Sequence, residues 1–354
     1  MVKQNAILFG PLPPPYGGVS VFMSLICNAV TERGGTVWSY KGPGSGSGVL
    51  LVDHRRFGHI RQLAREPRGS RISDSTHFHV EYPSVILLPL WLAAKSLFGF
   101  YWIKVIHDGT LPMRFAKFNW LQKKLFHLAL GKVDEFVVAS PELNDWLADV
   151  VRFTGRITTI PTLLPPKTKA GKPEVYLALE GLAAHERTVC SIGVFLPSYG
   201  FDKIANAVEI YRNETGEDVG LLLIDACFER DEGFKTQTLN GRDWVSVAEN
   251  VPHENIADVL GRCDVFIRAV ENESIGLSKI EALWCGVPVV SSNTGEKRGM
   301  LVYDFDDIDG ICRHMRTVFN GGSAPDADKW AEYFRNKAER NFQDFVAVIM
   351  GNDA

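Results

Sequence analysis

The chain has 354 residues, of which 45% are hydrophobic and 23% charged. This composition is typical of a globular protein and excludes a disordered or fibrous one, and the length exceeds what one hydrophobic core usually supports. Residues 1–165 hold 18 Lys and Arg against 11 Asp and Glu, a net charge of +7, whereas the remainder has a net charge of −11. We therefore predict two domains. Either the first meets an anionic partner, or the asymmetry is chance variation of surface charge.

The six cysteines are scattered, and none forms a Cys-x-x-Cys pair. We interpret them as reduced thiols that pack mostly in the core, as is typical of a cytosolic protein. The chain enters the strand-like run NAILFG almost at once, so we predict no secretory leader. These features indicate a cytoplasmic location and leave open a peripheral one on the inner face of the cell membrane.

Strand-like and helix-like segments alternate through the first half. NAILFG predicts a strand, PLPPPYGG a turn and VSVFMSLICNAVTERGG a helix that ends at a Gly-Gly pair. TVWSY, STHFHVEY, YWIKVIHDG and DEFVVAS are further predicted strands, and KGPGSGSG is a flexible loop. Such alternation predicts a parallel sheet with helical crossovers.

The apolar run from Val85 to Ile106 is long enough to be considered as a membrane span. Pro89, Lys95 and Gly99 interrupt it, and its end has the composition of a strand. We therefore favour a buried helix followed by a buried strand over a transmembrane helix.

The alternation restarts after a connection near residues 163–186. The predicted strands are TVCSIGVF, GLLLIDA, WVSVAEN, DVFIRAV, GVPVVSS and GMLVYDF, and a last helix covers Lys329–Ile349. The chain thus predicts two doubly wound α/β domains.

The segment ENESIGLSKIEALWCGVPVV places a Gly-containing turn between a predicted strand and a predicted helix. Free amides and the helix dipole favour a phosphate at such a turn, and ligands of open α/β sheets bind at this edge. Glu281 lies about 7 Å along the helix axis from Gly276, at 1.5 Å per residue, where its carboxylate can accept hydrogen bonds from ribose hydroxyls. Glu273 precedes the helix and can meet the hydroxyls of a second sugar. The spacing suits a nucleoside-diphosphate sugar.

Glu273-x7-Glu281 followed by ALWCGVPVVSSNTGE resembles the signature of retaining family-4 glycosyltransferases of the GT-B fold. Such enzymes also open with a strand and a Gly-Gly turn, as ILFGPLPPPYGGVSVF does, and carry a His after an N-domain strand, as KVIHDG does. The resemblance implies two Rossmann-like doubly wound domains that face a central cleft. They would be an acceptor domain at 1–165 and a nucleotide-sugar donor domain at 166–328, with a helix at 329–354 that packs back on the first.

The resemblance also implies roles in donor binding. Glu281 would bind the donor ribose, and Glu273 would contact the donor sugar. The alternative for Glu281 is an ion pair with a Lys or Arg. The backbone amides that would hold the sugar and the diphosphate belong to Ser274, Ile275, Gly276 and Leu277.

Two further features of the first domain gain roles from the resemblance. Gly17 and Gly18 would let backbone amides approach the β-phosphate, because a Cβ would obstruct that approach. His107 would lie beside the donor sugar, near its reacting face. The alternative for Gly17 and Gly18 is a plain turn. The alternative for His107 is a core or loop histidine whose hydrogen bonds are satisfied within the protein.

The chain departs from the family in the loop after the first strand of the second domain. Relatives carry an Arg and a Lys there that pair with the diphosphate, but SIGVFLPSYGFDK puts Val194 and Tyr199 at those positions. Each lost contact is worth about 1.5–3 kcal/mol. Either another cation compensates, or the enzyme is slow, or the donor is unusual. We favour Arg268, because it ends the strand that leads into the site. The candidates are Arg268, Lys203, Lys279 and Arg298.

Two motifs suggest metal sites, and we predict that neither binds one. DFDD at 304–307 precedes a predicted helix, so we expect it to cap that helix. His77 and His79 alternate on a predicted strand and share one face. Because no third ligand is evident, we expect them to have an acceptor-facing or core role.

The segment Met113–Lys132 mixes aromatic side chains with Lys and Arg and predicts an amphipathic helix. Such a helix either lies on an anionic membrane surface or packs its aromatic residues, Phe115, Phe118, Trp120 and Phe126, into the core.

These observations predict a retaining, metal-independent glycosyltransferase that needs no cofactor and binds no nucleic acid. It would move a hexose-type sugar from a UDP- or GDP-sugar to a glycan or a polyprenyl-linked acceptor in bacterial surface polysaccharide synthesis. The alternatives are a sugar-nucleotide epimerase or hydrolase on the same fold, and a non-catalytic sugar-nucleotide binder.

Overall fold

The computed structural model describes residues 5–14, 17–40, 48–52, 58–75, 87–107, 109, 111–165, 177–227, 231–273 and 275–351. The chain divides into two compact units, one formed by residues 1–14, 18–164 and 339–354 and the other by residues 15–17 and 165–338. Each unit is built on one parallel sheet. The predicted GT-B architecture of two Rossmann-like sheets is confirmed.

The sheet of the first unit has seven strands within the described ranges, and its order reverses between two central strands, which defines a doubly wound sheet. The strands are β1 (Ala6–Gly10), β2 (Thr36–Ser39), β3 (Val49–Leu51), β4 (Arg71–Asp74), β5 (Tyr101–Ile106), β6 (Glu135–Val138) and β7 (Arg156–Thr159). Their spatial order is β3-β2-β1-β4-β5-β6-β7. β1 and β6 are buried over their full length.

Helices and one π-helical turn connect these strands. They are α1 (Gly18–Glu32), α2 (Gly58–Leu63), α3 (Leu87–Phe98), α4 (Leu111–Lys117), α5 (Trp120–Leu130), α6 (Pro141–Asp145) and the turn Trp146–Val150. α3 and β5 confirm a helix followed by a buried strand within the long apolar run. The prediction that the helix is buried is wrong for the side chains described, at 92–98, because only Ala94 is buried there and Leu97 is 67% exposed. Among the helices of the described residues, none combines the length and the apolar character needed to cross a membrane.

The prediction of a single helix from Met113 to Lys132 is wrong, because α4 and α5 are separate helices. Asn119 caps α5: its side chain accepts a hydrogen bond from the Gln122 amide at 2.9 Å, and the Gln122 side chain accepts one from the Asn119 amide at 2.9 Å. This capping box starts a new helix where the amphipathic pattern alone predicts continuity.

The second unit has a six-stranded parallel sheet in its described part. Its strands are β8 (Arg187–Gly193), β9 (Val219–Asp225), β10 (Val245–Glu249), β11 (Val265–Arg268), β12 (Val289–Ser292) and β13 (Leu301–Tyr303). Their order is β10-β9-β8-β11-β12-β13, so the direction of winding reverses between β8 and β11. Every strand predicted for this half from the sequence is present.

The described helices of this half of the chain are α7 (Leu177–Leu182), which precedes β8, and α8 (Phe201–Thr215), α9 (Glu232–Leu239), α10 (His253–Leu260), α11 (Leu277–Trp284), α12 (Ile308–Phe319) and α13 (Ala327–Met350), with a 3₁₀ turn at Pro197–Tyr199. The Asp307 carboxylate accepts from the Gly310 amide at 2.8 Å at the start of α12. This contact confirms that DFDD caps a helix.

The last part of α13 belongs to the first unit. Phe345, Val346 and Ile349 are buried in the core of that unit. The Asn341 side chain donates to the Leu163 carbonyl at 2.9 Å. The end of the chain therefore stabilises the unit that also contains its beginning.

One predicted strand, STHFHVEY, lies almost entirely outside the described residues, and His77 and His79 lie outside with it. β4 ends at Asp74, directly before this segment.

Four of the six cysteines are buried and the other two are half-buried, and all six are free thiols, as predicted.

Candidate functional site

The predicted phosphate turn lies where the second sheet changes its direction of winding. β8 ends at Gly193 and β11 at Arg268, and the two strands are neighbours in the sheet. α11 begins at Leu277, shortly after β11. Ligands of open α/β sheets bind outside the carboxyl ends of strands at such a point.

The start of α11 leaves backbone amides open to a ligand. Its N-cap, Gly276, has a left-handed conformation with φ 79° and ψ 69°, and no side chain caps the helix within the described residues. In that part of the chain, no residue accepts a hydrogen bond from the amides of Leu277 or Ser278. These N–H groups and the helix dipole favour an anion. Ile275 and Gly276 are half-buried beside them, and Ser274 lies outside the described residues.

Glu273 is held between two cations. One of its oxygens, Oε2, accepts from Nε and Nη2 of Arg268 at 3.1 and 3.0 Å. The other, Oε1, lies 2.9 Å from Nζ of Lys279. Burial alone would raise the pKa of the Glu273 carboxyl, but Arg268 and Lys279 outweigh burial and hold that pKa below its ordinary value. Glu273 is therefore an ionised carboxylate with a fixed orientation.

Lys279 is a buried lysine on α11 whose side chain is 0% exposed. Its ammonium donates to the Ser291 hydroxyl at 3.1 Å and to the Thr294 carbonyl at 2.6 Å, besides its contact with Glu273. Burial lowers the pKa of Lys279, the Glu273 carboxylate opposes that change, and Arg268 adds to the lowering.

Glu281 lies on α11, one turn beyond its first residue, Leu277. It has a partner that the sequence analysis did not identify. Its Oε1 lies 2.7 Å from Nε2 of His253, the first residue of α10. Within the described chain, no residue donates to Oε2 of Glu281. One oxygen of this carboxylate thus keeps its capacity to accept hydrogen bonds from a ligand.

Of the four cations considered from the sequence, Arg268 and Lys279 lie at the helix start. Lys203 pairs with Asp306 at 2.8 Å. Arg298 pairs with Glu296, Nε to Oε1 at 2.8 Å, and its guanidinium lies 4.6 Å from the centre of the Trp330 ring.

Arg268 also contacts the loop that departs from the family pattern. Its guanidinium lies 5.4 Å from the centre of the Tyr199 ring. It donates through Nη1 to the Ile192 carbonyl on β8, so it bridges the two strands at the switch point. Val194, at the other departing position, is fully buried.

In the first unit, His107 follows β5 directly, as predicted, and is half-buried. Its ring lies 4.5 Å from the ring of Phe22 on α1. α1 starts at Gly18, where an added Cβ meets no described atom within 4 Å. The packing of the protein therefore does not itself require glycine at position 18. Gly17, the other predicted glycine, is half-buried.

One group of side chains has donor atoms of the kind that bind metal ions. Asp225, Cys227 and Glu249 bring one ligand atom each within 4.8 Å of one another. The Lys235 ammonium lies 2.6 Å from Glu249, and the Cys227 amide donates to Asp225 at 2.9 Å. Because both carboxylates already have a partner in the protein, we assign no ion to the group.

A protein-family model described as glycosyl transferases group 1 matches residues 178–314. These residues are similar to those of the group 1 glycosyltransferases. The match contains β8 to β13, the helix start at Gly276 and both glutamates of the motif. It confirms the predicted resemblance at the level of the group 1 glycosyltransferases, and with it the predicted enzyme class.

Solved structures share the fold over nearly the whole chain. Anabaena Alr3699/HepE in complex with UDP-glucose has a TM-score of 0.70 at 14% identity, covering 98% of this chain and 99% of that one. Sucrose-phosphate synthase from Thermosynechococcus elongatus gives 0.63 at 17% identity, with 98% of both chains covered. The α,α-trehalose 6-phosphate synthase from Burkholderia multivorans gives 0.68 at 12%, also with 98% of both. A comparison with curated protein sequences gives no match.

Proposed function

We propose that the protein transfers a hexose-type sugar from UDP or GDP to a glycan or lipid-linked acceptor, with retention of configuration and without a metal ion. The observation that carries the proposal is the uncapped start of α11 beside the Arg268–Glu273–Lys279 cluster. It combines free amides with buried cations at the switch point of the sheet, and both stabilise a departing diphosphate. A UDP-sugar complex of a structure with the same fold supports a nucleotide-sugar donor.

The motif residues take distinct roles in this proposal. Glu281 accepts hydrogen bonds from the ribose hydroxyls through Oε2, while His253 orients the carboxylate through Oε1. Glu273 contacts the donor sugar, and the amides from Ser274 to Leu277 hold the sugar and the diphosphate. His107 lies beside the donor sugar in this proposal, and Gly17 and Gly18 admit the β-phosphate to backbone amides.

The reaction needs no covalent nucleophile from the protein. The acceptor hydroxyl attacks the face from which the diphosphate leaves, and a leaving phosphate oxygen takes its proton. The protein's contribution is to hold the diphosphate on preorganised donors, so that negative charge develops where N–H groups already point.

The acceptor side of the proposal includes peripheral membrane contact through what we call the α4–α5 surface: Met113, Lys117, Trp120, Leu121, Lys124 and Leu128, all exposed. Trp120 is 75% exposed, whereas Phe115, Phe118 and Phe126 are buried. Residues 111–132 contain five Lys or Arg and no Asp or Glu. Exposed apolar side chains among cations fit an anionic lipid surface, where a lipid-linked acceptor resides. Bacterial surface polysaccharide synthesis is the setting that this acceptor class suggests.

A thermal-shift panel of UDP, GDP, ADP, TDP and their sugars tests the proposal, since a ligand that binds only the native state raises its stability by mass action. The expected result is a shift with UDP or GDP compounds. Incubation with the matching sugar nucleotide should then release the nucleoside diphosphate, and an acceptor should increase that release. A converted sugar nucleotide, or hydrolysis that no acceptor stimulates, would indicate the epimerase or hydrolase instead. Binding without any turnover would indicate a non-catalytic binder.

A further inference from the structure

Among the residues that the structure describes, the cluster at the start of α11 holds one more positive charge than negative. Arg268 and Lys279 face the single carboxylate of Glu273, and none of the three side chains is more than 12% exposed. The neighbouring charges of Glu296 and Arg298 pair with each other and leave this excess unchanged. A buried charge without a counter-ion is costly. The excess therefore indicates that an anion binds here.

The ammonium of Lys279 is not available to that anion. It donates to the Ser291 hydroxyl and to the Thr294 carbonyl. It lies 2.9 Å from Oε1 of Glu273 as an ion pair, although Oε1 accepts no hydrogen bond among the described residues. Its side chain is also fully buried. Lys279 therefore acts on a ligand only through its neighbours, and its one charged neighbour in these contacts is Glu273.

Arg268, in contrast, retains donors. A guanidinium has five N–H groups. The described residues accept from three of them, two through Oε2 of Glu273 and one through the Ile192 carbonyl. One N–H thus remains on each terminal nitrogen, and two such donors bind phosphate oxygens side by side. The guanidinium also lies 5.4 Å from the centre of the Tyr199 ring.

We propose that Arg268 is a ligand of the donor diphosphate and that Lys279 is a positioning residue for it, acting through Glu273. Lys279 holds one oxygen of the carboxylate and Arg268 is held by the other, so the lysine keeps the carboxylate ionised and the guanidinium in one orientation. The inference rests on the proposed donor site and deepens it by naming the group that neutralises its phosphates.

Calorimetric titration with UDP, UMP, GDP and GMP measures the contribution of the second phosphate. The wild type is expected to bind UDP or GDP at least about tenfold more tightly than the matching monophosphate, as one charge-assisted contact predicts. Arg268→Gln and Lys279→Met should each reduce that preference about tenfold while the affinity for the monophosphate changes little.

A double variant separates positioning from a merely structural role. If Lys279 acts through Arg268, then Lys279→Met in the Arg268→Gln background causes no further loss of diphosphate preference. Lys104→Met is the matched control, because Lys104 is also a buried lysine in a buried ion pair, 3.0 Å from Asp74 in the first unit. It should destabilise the protein and leave the preference unchanged.

Glu273→Gln provides a second variant should Lys279→Met fail to fold, because it keeps the shape of the side chain. It is expected to reduce the diphosphate preference as Lys279→Met does. If Arg268→Gln keeps the full preference for the diphosphate over the monophosphate, this inference is overturned but the proposed function is not. An additional loss of that preference in the double variant has the same meaning. A wild type that binds none of UDP, GDP, ADP and TDP overturns the proposed function itself.

Discussion

Gly276 and Glu273 lie so close together that a Cβ on Gly276 would stand 2.4 Å from Oε1 of Glu273. The same Cβ would meet Cε of Lys279 at 2.4 Å, and the φ of Gly276 is +79°. Only glycine combines this left-handed backbone with so close an approach. The helix start and the buried cluster therefore depend on one residue without a side chain.

Gly276→Ala should lower the free energy of unfolding by about 2–4 kcal/mol, from backbone strain and overpacking together, and abolish nucleotide binding. Gly241→Ala is the matched control: its φ is +73°, but an added Cβ meets no described atom within 4 Å. It should cost about 1–2 kcal/mol from the backbone alone and leave binding intact. Urea unfolding and the thermal-shift panel measure both effects. Equal costs for the two variants, with binding retained in both, would contradict the prediction.

Glu281→Ala should abolish the thermal shift produced by the nucleoside diphosphate while the protein stays folded. At a ligand concentration of 100 Kd the wild type gains about 2.7 kcal/mol of stability, and the variant should gain none. His253→Gln should weaken the shift without removing it, because His253 contacts only one oxygen of the carboxylate. A shift that survives in Glu281→Ala would show that this carboxylate is not the ribose ligand.

The strands that the sequence identifies include those buried on both faces. β1 and β9 are buried at every position, so they are continuous apolar runs. β3, β4 and β7 were missed. β3 and β7 lie at the edges of their sheet, whereas β4 lies at its centre, directly before the predicted strand STHFHVEY. β7 (RITT) and β4 (RISD) have no apolar run that marks a strand, and the apolar run of β3, VLL, is only three residues long.

The two glutamates of the site follow from local spacing, but their partners do not. His253 lies 28 residues from Glu281 in the chain, and no periodicity connects them. Lys279 carried a usable signal: like Glu281, it is a charged residue within the apolar segment GLSKIEALW. A lysine in a segment predicted to be buried requires a counter-charge, and Glu273 was the nearest carboxylate before it.

The α4–α5 surface should bind vesicles that contain anionic lipid. Trp120→Ser combined with Leu121→Ser should reduce binding to phosphatidylglycerol-containing vesicles about tenfold or more, because two apolar side chains no longer insert. Val150→Ser is the control, since Val150 is an exposed apolar residue elsewhere in the same unit. Co-sedimentation measures the binding, and added salt should weaken it. Equal binding to pure phosphatidylcholine vesicles, or no loss in the double variant, would contradict membrane contact through this surface.

Glu296 should make stability depend on pH in the acid range. Burial raises the pKa of this carboxyl, but hydrogen bonds from Arg298 and from the amides of Arg298 and Lys297 outweigh burial and lower it from 4.5 to about 2. Because the folded pKa is the lower one, the stabilisation is complete above pH 4.5, declines as the pH falls, and is lost by about pH 2. Glu296→Gln should therefore reduce the urea midpoint at pH 6 and converge with the wild type near pH 2. Glu254→Gln, a change at an exposed position on α10, is the control and should leave the acid dependence unchanged. A constant difference between Glu296→Gln and the wild type over this whole range would contradict the assignment.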